Sequence, residues 1–405
     1  MNVFARITLP LAGMNFVNQA SRSLVATVGP LLAVEFALSA GELGLLAACF
    51  FAAYALAQLP IGLAMDLYGP RRVQTVMALL AALGFVICAV APGAAWLAVG
   101  RIITGAGVSG ALIALLTAHT QWLARDRVAG ATGLAVFIGA MGGMAATLPV
   151  QMALPFIGWR GAFLVLAGLG CAVAAWVWLS VPGAPPGAAP PPKRRFLLEV
   201  GEIGRIFRHP VFIRLVPGIV TLSAISFCWQ GLWTGPWLRD VGGLGDTHRA
   251  TVLLAYAFGL STGSLVMGRL ASALQARGRE PMLIPFIAMG GIAAMQILLI
   301  ALPMSHPVAL AIVWCLFAFC GAAGPAGYAA VGRSFGPELA GRVATAINAS
   351  MLALVFVLQS AIGVILDFWP RTAVGGWDTA GYGWALAMTL MLQAATALWA
   401  FWRKP

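Results

Sequence analysis

Residues 160–195 read RGAFLVLAGLGCAVAAWVWLSVPGAPPGAAPPPKRR, and this stretch decides the fold. From Gly161 to Val181 no residue is charged, and the run reaches the roughly 20 apolar residues that a helix needs to cross a bilayer. From Pro182 to Pro192 proline is too frequent for a helix to continue. Lys193, Arg194 and Arg195 follow, a cationic cluster suited to a lipid head-group surface. An apolar span, a helix-breaking linker and a basic anchor thus follow one another.

The rest of the chain extends this pattern. Of 405 residues, 61% are hydrophobic and only 9% charged, against roughly 25% charged in an ordinary soluble domain. So few ionic groups cannot cover a water-facing surface of this size. A soluble enzyme, a nucleic-acid binder and a disordered chain are excluded, and lipid is the dominant solvent. Apolar runs near 8–34, 42–64, 73–91, 95–121, 128–153, 160–181, 211–238, 249–274, 281–302, 307–331, 340–366 and 379–402 predict twelve transmembrane helices. The first run is too long for a cleavable signal and has Asn15, Asn18, Gln19 and Arg22 in its interior.

An even number of spans puts both termini on one side. The net charge of +12 is spread unevenly. Arg160, Arg239, Arg249 and Arg371 fall on the far side, Arg22 and Arg101 lie within spans and Arg214 at a span edge. Every other Lys and Arg falls on the side of the termini, which the positive-inside rule makes cytoplasmic. The expected location is the cytoplasmic (inner) membrane.

The longest gap between spans, 182–210, divides the chain into bundles 1–181 and 211–405, six helices each. From it into span seven, FLLEVGEIGRIFRHPVF (196–212) spaces its apolar residues as an interfacial amphipathic helix would; a disordered basic loop is the alternative. A weak internal repeat supports the division. Gly29-Pro30 matches Gly235-Pro236, and Gly62 with Asp66 matches Gly268 with Ser272, at one common offset.

No HExxH, Walker loop or GxSxG elbow occurs, so neither an enzyme nor a cofactor is expected. Cys49, Cys88, Cys171, Cys228, Cys315 and Cys320 all lie in apolar runs without a CxxC pair, and read as small core residues rather than a metal or disulfide set. All acidic residues lie in loops, in the linker or near span ends. The polar groups inside spans are therefore the informative ones, because lipid makes them costly. Asn15, Asn18, Gln19 and Arg22 stand at i, i+3, i+4 and i+7, one helix face. Arg22 lies near mid-span, where insertion of a guanidinium costs about 2.5–3.5 kcal/mol unless a partner, water or an anionic ligand offsets it. Substrate binding and simple satisfaction by neighbouring amides or carbonyls are both open. Ser226, Trp229, Gln230 and Trp233 form a comparable stripe on span seven, with Trp233 either in a cavity or in an interfacial belt. Span four carries Arg101 and, near its cytoplasmic end, His119, which can titrate near neutral pH or simply be hydrogen-bonded. Glycine-rich stretches such as GRIITGAGVSG (100–110) permit close helix contact.

Between spans two and three stands Gly62-x-x-x-Asp66-x-x-Gly69-x-Arg71-Arg72. It is similar to the signature loop of the major facilitator superfamily, and the chain resembles that superfamily over its full length. The resemblance implies a fold of two pseudo-symmetric six-helix bundles, working by alternating access as a monomer, with Gly62, Asp66, Gly69, Arg71 and Arg72 gating the cytoplasmic side. Leu97-x-x-x-Arg101-x-x-Thr104-Gly105-x-Gly107 resembles the fourth-helix pattern, whose Arg is associated with proton coupling; His119 is a second coupling candidate. Gly130, Gly139 and Gly143 keep the spacing of the antiporter fifth-helix pattern, but Met144 and Ala146-Thr147 depart from it, which speaks against a drug exporter. The resemblance further implies that spans one, four, seven and ten line a central cavity. The expected function is secondary transport of a small organic solute, anionic because Arg22 and Arg101 would hold a carboxylate well. A multidrug or metabolite exporter and a non-transporting membrane sensor are the alternatives. The expected partners are the solute and membrane lipids.

Overall fold

The computed structural model describes residues 3–183, 204–279, 282–302, 304–335, 339–372 and 375–402, and every regular element among them is helical. The proline-rich and basic part of the linker and most of the expected interfacial helix lie outside the described residues; the helix is seen from Gly204 to Arg208.

Among the described residues, ten helices are long and apolar enough to cross a membrane. The two further expected spans are also helical. Span one, Leu9–Glu35, falls below the others in hydropathy because of its polar face, and begins with a π-helical turn, Phe4–Thr8. Span five begins as Arg125–Ala145. The lipid-facing surface is evident from side chains such as Leu56, Phe156, Leu179 and Trp402, which are 79–89% exposed. On a soluble protein such a surface would drive association; in a bilayer it is the solvated face.

The expected loop between spans two and three is a single residue. Ala40–Ala89 is one helical path that turns at Gly69, whose φ of 79° and ψ of 160° belong to a region open essentially to glycine alone. Gly158 (φ 63°, ψ 177°) makes the same kind of turn within Leu148–Ser180, so that span five runs on to 157, past a break at 146–147, and span six covers 159–180. Span four (Ala94–Trp122) is interrupted at 109–110 and span ten (Pro307–Arg333) at 322–323. Span seven (Pro210–Asp240) contains a π-helical turn, Trp229–Trp233. Spans eight, nine, eleven and twelve are Asp246–Ala276, Leu283–Ala301, Ala340–Leu366 and Thr379–Trp402.

Contacts group the chain into two compact units, 1–24 with 49–196 and 25–48 with 197–405. The second unit thus includes the second half of span one, the first turns of span two and the turn joining them. In the first unit, glycines bring helix backbones together. A Cβ at Gly105 would lie 2.2 Å from the Phe50 carbonyl oxygen, and one at Gly142 2.0 Å from that of Phe16, so the tight approach of span four to span two and of span five to span one requires glycine. In the second unit, Gln296 donates to Gln393 at 2.8 Å and accepts from Thr389 at 2.6 Å, a buried polar link between spans nine and twelve.

Candidate functional site

The polar face of span one forms as its spacing predicts. Asn15, Asn18 and Arg22 are buried and Gln19 is half-buried. Asn15 packs onto Gly139, where a Cβ would come within 2.3 Å of its amide nitrogen. The Ser21 hydroxyl donates to the Asn18 carbonyl at 2.9 Å, so it is satisfied within its own helix. The Arg22 guanidinium lies 4.9 Å from the Tyr54 ring centre and 5.9 Å from that of Phe51.

Arg101, on span four, is 1% exposed and joins this face from the other side. Its Nη1 donates to the Ser21 carbonyl at 3.1 Å, and its guanidinium sits 4.3 Å over Phe50. Phe50 and Phe51 meet edge to face at 5.2 Å, and Phe50 and Tyr54 lie 6.1 Å apart. Two buried cations are therefore held on the faces of three aromatic rings of span two. A ring face attracts a cation through its quadrupole and carries no net charge. The pair of cations can thus still act together on an anion. Arg101 Nε and Asn18 Oδ1 have no hydrogen-bond partner among the described residues.

His119 is fully buried near the end of span four and is gripped at both ring nitrogens. Nε2 lies 2.9 Å from the Thr8 hydroxyl and Nδ1 2.8 Å from that of Thr132. Hydroxyls rotate and can donate or accept, so this cluster accommodates a neutral or a protonated ring without losing a bond.

The stripe on span seven runs into the π-helical turn Trp229–Trp233, which has more residues per turn than an α-helix, and its two indoles meet different neighbours. Trp229 packs against Trp314 in a tilted arrangement with ring centres 5.4 Å apart, and Trp233 approaches Trp377 at 6.2 Å. Ser226 is engaged by Tyr256, whose hydroxyl donates to the Ser226 carbonyl at 2.7 Å. Gln230 is buried. The indole N–H groups of Trp229, Trp233, Trp314 and Trp377 find no acceptor among the described residues.

In the signature loop, Asp66 and Arg72 are exposed, and Gly62 has open space around it. Arg71 lies over the Trp178 ring at 4.6 Å, which ties it to span six. Sequence reading missed Phe50, Phe51, Tyr54 and Trp178, although FFAAY (50–54) places rings on one side of span two at i, i+1 and i+4.

A sequence profile of the Major Facilitator Superfamily matches residues 11–360. The chain belongs to that superfamily. A superfamily fold is likewise seen in a bacterial homologue of the human lysosomal transporter Spinster, solved inward-facing and unoccupied. It superposes with a TM-score of 0.75 at 19% identity, over 99% of this chain and 97% of that one. Among sequence relatives, a Cupriavidus necator protein described as "Probable sulfoacetate transporter SauU" is 29% identical over 156 residues, 38% of this chain and 36% of that protein. The niacin transporter NiaP of Acinetobacter baylyi is 28% identical over 222 residues, 53% of this chain and 49% of its own length. The chain spans less than half the length of these two relatives.

Proposed function

We propose that this superfamily member is a secondary transporter that carries a small organic anion, a carboxylate foremost, across the cytoplasmic membrane by alternating access. The observation that carries the reading is the pair Arg22 and Arg101, buried cations held on aromatic faces in spans whose interiors contain no acidic residue. A carboxylate there would gain charge-assisted hydrogen bonds and offset the desolvation of the guanidinium groups. Asn15, Asn18 and Gln19 on span one would orient it, with Ser226, Trp229, Gln230 and Trp233 contributing from span seven. Sulfoacetate and niacin, the substrates named for two relatives, each carry a carboxylate.

Inward movement of an anion against a negative-inside potential is opposed by about 2.3 kcal/mol per charge per 100 mV, which a co-transported proton would offset. Arg101 and His119 are the coupling residues in this reading. Gly62, Asp66, Gly69, Arg71 and Arg72 gate the side of the termini, which is cytoplasmic. The functional halves are 1–181 and 211–405, joined by 182–210, and the working unit is a monomer. Counterflow in reconstituted vesicles tests the substrate class: organic acids should exchange saturably and cationic drugs should not. Saturable exchange of cations with no response to acids overturns the anion reading in favour of an exporter.

A further inference from the structure

At the end of the bundle opposite the amino terminus, the turn between spans one and two is clasped by the segment between spans eleven and twelve. Span two starts with a capping box. Ser39 Oγ accepts from the Glu42 N–H at 3.1 Å, and Glu42 Oε2 from the Ser39 N–H at 2.8 Å. That arrangement leaves the first two helical N–H groups, Ala40 and Gly41. Both donate to the two oxygens of Asp367, each at 2.8 Å, across more than 300 residues of chain. Arg371 Nη2 donates to the Leu38 carbonyl of the same turn. The clasping segment is itself anchored. The Asp240 carboxylate accepts from Arg239, from the Trp377 N–H at 3.0 Å and from the Tyr382 hydroxyl at 2.8 Å.

Three observations say that this closure is built to reopen. The seam beneath it is lined by glycine: a Cβ at Gly235 would lie 2.1 Å from the Ala26 carbonyl oxygen, at Gly44 2.5 Å from that of Gln359, and at Gly363 2.5 Å from that of Ala40. Such backbones approach without interlocking side chains. Next, Trp233 Nε1, Thr234 Oγ1, Gln359 Oε1 and Trp377 Nε1 are buried without a partner among the described residues. A permanent interface satisfies such groups, whereas an opening one lets water satisfy them in its other state. Finally, Ala37, in the clasped turn, has φ 51°, a left-handed conformation that costs a non-glycine residue about 1–2 kcal/mol.

We infer that Asp367 and Arg371 form a latch that holds this end of the protein shut, and that its release is the opening step there. Both are positioning residues and touch no solute. The latch needs only that the protein opens and closes, so its test uses no substrate, and failure of the anion reading would leave it intact. The test is a pulsed-EPR distance measurement on full-length protein in a cysteine-free background, with spin labels at Ala37→Cys and Thr247→Cys. A second pair, Thr247→Cys with Thr379→Cys, lies wholly within 197–405 and reports the integrity of that part. Asp367→Asn and Arg371→Ala should each raise the ratio of open to closed populations for the first pair about tenfold, as expected for losing hydrogen bonds to a charged group. Gly363→Ala, which wedges the seam against Ala40 and Gly41 while keeping the side chains of Asp367 and Arg371, should do the same, and the second pair should not change. An unchanged first pair in the latch variants overturns the proposal. Broadening of both pairs overturns it equally, since it would make these residues supports of the fold.

Discussion

Arg101 donates to the carbonyl oxygen of Ser21 at 3.1 Å, one residue before Arg22. One buried cation thus fixes the backbone that carries the other. Phe50 lies under the first and Tyr54 under the second, one helical turn apart on span two. The chemistry of span one therefore depends on spans two and four as much as on its own face.

Arg22→Ala is expected to abolish saturable uptake of the cognate solute while leaving expression and thermal stability close to wild type. Arg22→Lys should also lose most uptake, because an ammonium cannot hold a carboxylate bidentately. Vesicle uptake with a parallel melting curve checks both, and normal uptake by Arg22→Ala would remove Arg22 from the site.

Tyr54→Phe keeps the ring face and should bind solute nearly as wild type does. Tyr54→Leu removes the face and should weaken affinity about three- to tenfold, the range of one partly desolvated cation–π contact. Isothermal titration of the two variants separates the face from the hydroxyl.

His119→Ala strands the buried hydroxyl of Thr8 and frees the half-buried one of Thr132. A buried stranded hydroxyl costs about 1–3 kcal/mol, so the melting temperature should fall. If His119 also carries the proton, uptake driven by a pH gradient should fall further than exchange without one. Equal losses in both assays would leave His119 a structural residue only.

The two signature glycines should behave differently. Gly69→Ala forces a side chain into a glycine-only backbone conformation and should cost about 1–3 kcal/mol. Gly62→Ala meets nothing and should leave stability unchanged. Thermal melts in detergent decide this, and equal destabilisation would contradict the turn geometry.

Gly142→Ala drives a methyl group against the Phe16 carbonyl oxygen. Overpacking of this kind costs about 1–3 kcal/mol, and here the obstacle is backbone that cannot rotate away. A melting temperature equal to wild type would mean that spans one and five are less closely packed than described.

Much of this was legible in the sequence, for physical reasons that differ from place to place. Hydropathy marked the spans because lipid leaves no alternative to satisfied, apolar helices. The face of Asn15, Asn18, Gln19 and Arg22 was legible because a regular helix preserves the 3.6-residue period. The stripe from Ser226 to Trp233 runs into a π-helical turn, which has no composition signature and shifts that period. The loop expected at 65–72 shrank to Gly69, because one residue with positive φ can reverse a helix direction where a pattern reader allots several. Phe50, Phe51 and Tyr54 were hidden by their own hydrophobicity, which suits lipid contact as well as a cation. Asp367 was visible only as a charge at a span end; its meeting with Ala40 and Gly41 is a long-range contact that no local spacing encodes.

The polar face of span one also bears on how the chain is made. A helix bearing Asn15, Asn18, Gln19 and Arg22 is a poor candidate for release from the translocon into lipid by itself. Its partners emerge later: the rings of Phe51 and Tyr54 with the second helix, and Arg101, which grips its backbone, with the fourth. Biogenesis of the amino-terminal bundle is thus a waiting problem, in which the first helix must be sheltered until synthesis has passed Arg101. Nascent chains truncated before that point should be the ones that quality control removes.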